Sequence, residues 1–194
     1  MSIHYRLATN LDAAEIARLE QQYMNDELSV SADTMSAGEM SAVTMSGQCF
    51  SKVQLNELIE QGWIVLAESK AEAVTSIVGY VIAGPWSWFQ TWGIYAHVLR
   101  KLNDIEIGFS RVTVKNSCQY GPIWIHPDYR GQGIFEQLVL QLKRKVAAKY
   151  SFMVTFIAEQ NSTSFAAHTK KSAMEVVDFF SFQQRDYYLL VMQN

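Results

Sequence analysis

Cysteine is nearly missing from this chain: Cys49 and Cys118 are the two examples in 194 residues, and they form no CxxC pair. That argues against a disulfide framework and fits a reducing, cytoplasmic setting. The four histidines, His4, His97, His126 and His168, are scattered without metal-ligand spacing, so no metal is expected. No apolar run reaches the length of a membrane span, about 18 residues, and "MSIHYRLATNLDAAEI" lacks the basic-then-apolar order of a secretory signal. No membrane association is expected. An excess of positive charge is also missing. The formal net charge is -3, and without a basic stripe there is no footprint for nucleic acid. The nearest candidate, "LKRKVAAK" at 142–149, reads as the solvated face of one helix, with its cations toward the end where the helix dipole favours them. Charged residues make up 18% of the chain, below the usual ~25%.

What is present is core-forming material. Apolar residues are 49% and aromatic residues 12%, and the length suits one domain spanning 1–194. "IHYRLA" (3–8) reads as a strand and "NLDAAEIARLEQQYMND" (10–26) as a helix with Leu11, Ala14, Ile16, Leu19 and Tyr23 on its apolar face. Residues 28–48 are rich in Met, Ser, Thr, Gly and Ala, with Met-Ser at 35, 40 and 45. That five-residue step fits neither the helix nor the strand period, so it reads as a linker, a short helix or a lid. "FSKVQLNELIEQG" (50–62) is a helix capped by Ser51 and stopped by Gly62. Strands follow at 63–69 and 74–85, antiparallel across a turn at 70–73. The aromatic-rich stretch 86–104 reads as one inserted helix, because Trp88, Trp92, Tyr95, Leu99 and Leu102 fall at steps of three and four. It packs on the core, forms a homodimer contact or walls a ligand pocket. A strand at 118–127, a helix at 132–149, a near-continuous apolar strand at 151–159, a helix at 161–173 and two last strands complete an α+β, three-layer α/β/α arrangement around a mixed sheet.

The chemistry concentrates in "HPDYRGQGIF" (126–135). A strand, a glycine-rich turn and a helix start make an anion site, since the first helical N–H groups lack partners and the dipole is positive there. Arg130 adds a planar donor suited to phosphate, while Gly131 and Gly133 let backbone approach closely. The P-loop pattern GxxxxGK[ST] is absent. The dinucleotide pattern GxGxxG fails too, because "GQGIFE" puts Glu136 at its third glycine.

The stretch resembles the acyl-CoA-binding signature of the GCN5-related N-acetyltransferase (GNAT) superfamily, Arg/Gln-x-x-Gly-x-Gly/Ala, with Arg130, Gly131, Gln132, Gly133 and Ile134 fitting it and Phe135 departing at the last position. "FMVTFIAE" followed by Asn161, Ser164 and His168 is similar to the family's Asn-x-x-Ala/Ser-x-x-x-Tyr/His helix, with "SAM" (172–174) in place of a "GF" step.

The resemblance implies a mostly antiparallel central sheet of six to seven strands whose central parallel pair splays apart. It implies acetyl-CoA as acyl donor, with the pantetheine arm on the edge formed by Ile123, Trp124 and Ile125. The pyrophosphate would lie on the N–H groups of residues 130–135, and Asn161 would bond the pantetheine amide region. His168 would contact CoA or act as general acid, and Glu159 is a candidate proton acceptor; Tyr120 and Glu106 are weaker candidates. Phe135 is expected to face the core, since it shares a helix face with Leu138, Val139 and Leu142. The implied reaction is acetyl transfer to a primary amine of a small molecule or peptide by direct attack in a ternary complex. The acceptor would lie among residues 24–50 and 86–120, whose Met, Trp and Tyr content favours an apolar part. The alternatives are a non-catalytic acyl-CoA-binding sensor or interaction module, and a nucleotide-binding domain that merely shares a glycine turn.

Overall fold

The computed structural model describes residues 2–32, 50–71 and 74–194. Most of the Met/Ser-rich stretch, the centre of the 70–73 turn and Cys49 therefore lie outside the described residues. The chain divides into two compact units, one of residues 1–7 with 63–194 and one of residues 8–62.

The smaller unit holds two helices, α1 (Ala13–Ala32) and α2 (Lys52–Glu60). Leu11 precedes α1 and is 93% exposed, while Ala13, Ile16 and Leu19 are buried, so the apolar stripe begins after Leu11 rather than at it. α1 also extends past residue 26 into the Met/Ser-rich stretch. α2 begins in a capping box: the Ser51 hydroxyl accepts from Gln54 N–H at 3.3 Å and Ser51 N–H donates to Gln54 Oε1 at 2.9 Å. Gly62, at φ 72°, follows its end.

The larger unit is built on seven strands in the order β1-β2-β3-β6-β7-β9-β8. They are β1 (Ser2–Leu7), β2 (Ile64–Ala71), β3 (Val74–Gly84), β6 (Ser117–Ile125), β7 (Phe152–Ala158), β8 (Glu175–Phe182) and β9 (Arg185–Gln193). Every neighbouring pair is antiparallel except β6 with β7. β7 reads as a continuous apolar run because helices cover both of its faces. On one face lie α5 (Ile134–Val146) and α6 (Ser162–Lys171). α5 buries Ile134, Phe135, Leu138, Val139, Leu142 and Val146, the recurrence at three and four expected of a helix with one apolar stripe.

The inserted stretch 86–104 is not one helix. It forms α3 (Trp86–Phe89), α4 (Gly93–Lys101) and a 3-10 turn over Leu102–Asp104. The break falls at Gln90–Trp92, where Trp92 is extended as the N-cap of α4 and Gly93 follows, a residue that costs a helix interior about 1 kcal/mol relative to Ala. Ring packing explains why the helical spacing was real but discontinuous: Trp88 meets Trp92 at 5.1 Å and Phe89 meets Tyr95 at 4.9 Å across the break. α4 covers the sheet face opposite α5, with Tyr95 edge-on to Phe156 at 5.2 Å and His97 stacked on Phe180 at 5.1 Å. A short hairpin, β4 (Glu106–Ile107) with β5 (Ser110–Arg111), turns at Gly108–Phe109, a two-residue loop whose glycine has φ 60°.

Candidate active site

The sheet opens between β6 and β7. Their parallel pairing covers Ser117–Phe152, Cys118–Met153 and Gln119–Val154; beyond it β6 continues to Ile125 and β7 to Ala158 unpaired with each other. The fork is set locally. β6 carries an irregularity opposite Val81–Ala83, where Gly121, at φ 102°, precedes Pro122. An extra residue there bends the strand, and proline removes a ladder donor.

Alternation along β6 shows what faces the gap. His126 N–H donates to Val78 C=O at 2.9 Å, so the paired Trp124 also turns its backbone to β3. Ile123 and Ile125 turn theirs to the opposite edge, into the fork. Of the three expected edge residues, two thus offer backbone to the gap, while Trp124 lies buried with its ring stacked on Tyr80 at 5.8 Å.

The glycine turn stands at the end of this edge. A 3-10 turn over Pro127–Tyr129 is closed by His126 Nδ1 accepting from Asp128 N–H at 3.3 Å. Gly131 and Gly133 both have φ 77°, and a Cβ built on either meets nothing within 4 Å. The glycines are needed for their left-handed backbone, and the space beside them is open. Gly133 is the N-cap of α5 and its carbonyl accepts the first helical bond, from Gln137 N–H at 3.2 Å. The N–H groups of Ile134, Phe135 and Glu136 therefore point out of the helix end without intrahelical partners. Arg130 is exposed, and its Nε donates to Ile125 C=O at 3.1 Å, which ties the guanidinium to the rim of the fork. Gln132 Nε2 donates to Asp128 C=O at 3.2 Å, bracing the turn.

Phe135 points inward. It is 8% exposed within the core and meets the His168 ring edge-on at 5.0 Å. His168 is itself buried, and also lies edge-on to Tyr120 at 5.5 Å. Its Nδ1 is 2.7 Å from Ser164 C=O, so Nδ1 carries the proton and donates. Burial lowers its pKa to about 4, only partly opposed by that bond. At neutral pH about one molecule in a thousand would carry the imidazolium, a poor reservoir for a general acid. Asn161 caps α6 through Oδ1, which accepts from Ser164 N–H at 3.0 Å.

The remaining candidates separate. Glu159 is exposed at the end of β7, its N–H bonded to Asp186 C=O at 2.9 Å. Glu106 pairs with Arg111 at 3.2 Å on the exposed β4–β5 hairpin. The Tyr120 hydroxyl is fully buried with no hydrogen-bond partner, and burial pushes its pKa up. Burial likewise pushes the Cys118 thiol up to about 12, which leaves it inert. Among the described residues no cluster of His, Cys, Asp and Glu could hold a metal ion, and no helix is long and apolar enough to cross a membrane.

One residue at the fork escaped sequence reasoning. Gln119 is buried at the last rung of the β6–β7 ladder, its Nε2 donating to Tyr120 C=O at 2.8 Å and its Oε1 without a partner. The available signal was a lone amide inside an otherwise apolar strand, where a buried polar group calls for a reason.

A seven-stranded sheet forked at one parallel pair, with a glycine turn and helix start beside the fork, is the acyl-CoA N-acyltransferase fold of the GNAT superfamily. The described residues have that fold. The chain is similar to an N-acetyltransferase from Staphylococcus aureus (TM-score 0.61, 17% identity, covering 100% of this chain and 99% of the other). It is also similar to a GNAT-family acetyltransferase from Listeria monocytogenes (TM-score 0.61, 14% identity, 99% and 95%). A third is a GNAT superfamily phosphinothricin acetyltransferase from Sinorhizobium meliloti in complex with acetyl-CoA (TM-score 0.60, 16% identity, 100% and 89%). No protein-family model and no curated protein matches the chain.

Proposed function

We propose that this protein is a cytoplasmic N-acetyltransferase that moves an acetyl group from acetyl-CoA to a primary amine by direct attack. The observation that carries the reading is the fork itself. Ile123 turns its backbone and Ile125 its N–H into it, the Ile125 carbonyl being held by Arg130, and it ends at the open, left-handed glycines of the α5 start. A pantetheine arm carries amides that can pair with such an edge, and a pyrophosphate suits the outward N–H groups and Arg130. Asn161, at the head of α6, is the candidate contact for the pantetheine amides.

The chain's part in the chemistry is mostly placement. The amine nitrogen attacks the thioester carbon, the C–N bond forms, the C–S bond breaks and the proton shed by nitrogen ends on the departing thiolate. A backbone N–H of Ile123 or Ile125 stabilises the oxyanion. Since a thiol has pKa ~8.5, the leaving group needs little help. His168, neutral and buried, acts in this reading as a rigid support for Tyr120 and Phe135 rather than as the acid.

Calorimetric titration with acetyl-CoA, followed by thiol release over a panel of primary amines, tests the reading. Micromolar binding with turnover on at least one amine is expected. Binding without turnover would favour the sensor instead, and tight ATP or NAD binding with none for acetyl-CoA would overturn the assignment.

A further inference from the structure

Gln119 sits where the fork begins, on the sheet face opposite α5 and α6. Its neighbour Tyr120 points to His168, so the Gln119 side chain takes the other face. Ser117, two residues earlier, confirms this by accepting from Trp86 Nε1 of α3 at 3.0 Å. Across the ladder Gln119 pairs with Val154; Phe156, two residues on, shares that face and borders the gap. Tyr95 and Tyr187 lie edge-on to Phe156 at 5.2 and 5.7 Å. Rings of Phe156, Tyr95 and Tyr187 thus cluster on this face beside the fork.

The orientation of the carboxamide is fixed by its own contact. Ala83 N–H donates toward β2, to Trp63 C=O at 3.0 Å, so the opposing Tyr120 turns its carbonyl toward β7. Gln119 Nε2 holds that carbonyl at 2.8 Å, the place a β7 N–H would take if the ladder continued. Flipping the amide would set two carbonyl oxygens against each other, so Oε1 is the outward atom. It is buried without a donor, on a residue only 2% exposed. An unmet buried acceptor destabilises, and a ligand N–H would relieve it.

We propose that Gln119 Oε1 receives an N–H of the acceptor amine, and that the Tyr95–Phe156 wall makes that acceptor a primary amine borne on an aromatic or apolar group. The inference rests on the acetyl-transfer reading. Because α5 and the glycine turn lie on the opposite face, acetyl-CoA and the amine reach the fork from different sides. One N–H directed at Oε1 aims the nitrogen lone pair toward the thioester carbon. A neutral carboxamide removes no proton, so Gln119 binds and orients the nucleophile without acting as a base.

The test uses 2-phenylethylamine and methylamine as probes. Calorimetry on the CoA-saturated protein should show 2-phenylethylamine binding at least tenfold tighter than methylamine. Gln119→Met should weaken 2-phenylethylamine binding at least tenfold and raise its KM similarly, with kcat changed less and the acetyl-CoA Kd kept within twofold. Phe156→Leu, which keeps the amide, should erode the preference for 2-phenylethylamine, and it decides the matter if the methionine variant does not fold. Equal affinity for the two amines in the parent protein would overturn the proposal, as would an acetyl-CoA Kd that moves as much as the amine's. The amine-binding arm needs no turnover. A protein that binds acetyl-CoA and 2-phenylethylamine but releases no thiol would sink the acetyl-transfer reading while leaving the amine site standing.

Discussion

Gly133 and His168 show two different ways a single residue constrains this site. At Gly133 the backbone is left-handed and the surrounding space is empty, so the demand for glycine is conformational. Ala there carries the left-handed penalty of about 1–2 kcal/mol, offset in part by a stiffer unfolded chain. Asn tolerates that region better. Urea unfolding should therefore rank stability Gly > Asn > Ala > Val, with Gly133→Ala lower by about 1 kcal/mol, and acetyl-CoA affinity should follow the same order. Equal stability of the Ala and Val variants with the parent would refute the backbone argument. His168 is constrained by depth. Its folded pKa of about 4 lies below its unfolded value of 6.5, so between these the unfolded chain binds the extra proton. Stability is then full above about pH 6.5 and falls as pH drops toward 4, by on the order of 3 kcal/mol from this group. His168→Phe should flatten that part of the stability–pH curve; an unchanged slope would show that the ring is not buried neutral. The motif around these residues was legible because glycines, an arginine and a helix start occupy fixed offsets. The depth of His168 was not, because spacing along a helix gives a face and says nothing of what covers it. Gln119 was invisible for a related reason: its importance comes from the ladder ending beside it, a fact of pairing between distant strands.

At the scale of elements, periodicity was reliable where one packing partner sets it and failed where several do. α5 rests one stripe on the sheet, and its buried positions follow the helical period throughout. That period also placed Phe135 inside. Phe135→Ala should accordingly cost about 3 kcal/mol or more as a buried aromatic truncation, read by urea unfolding. Acetyl-CoA affinity should change little, because the grip uses the backbone of the turn. A variant that kept its stability and lost acetyl-CoA would place Phe135 at the ligand instead. The 86–104 stretch is the contrary case. Its rings pack on one another across a break in the helix, then on β7 and β8, so helical spacing persisted in the sequence while the helix did not. Lys101 ties the end of α4 to Asp178 of β8 at 2.6 Å, a contact between partly exposed groups that adds register more than energy.

For the whole molecule, the question is whether the fork and the turn act on one ligand. They lie at one end of the sheet on continuous chain, β6 running from the fork through Ile125 into the turn, with Arg130 bonded back to Ile125 C=O. A ligand that spans both couples to the folding of the seven-stranded unit as a whole, whereas one that touches only the turn gains the phosphate contacts alone. Acetyl-CoA at a hundred times its Kd should stabilise the folded state by about 2.7 kcal/mol. For a chain of this size that is a rise in Tm of about 5–10 °C. ATP at the same concentration has phosphates for the turn and no pantetheine for the edge of Ile123 and Ile125, so its shift should be under a third of that. A matched pair of scans with acetyl-CoA and ATP reads the difference directly. Equal shifts would mean that the turn alone binds and the fork does not take part, which would remove the structural basis for placing a thioester there.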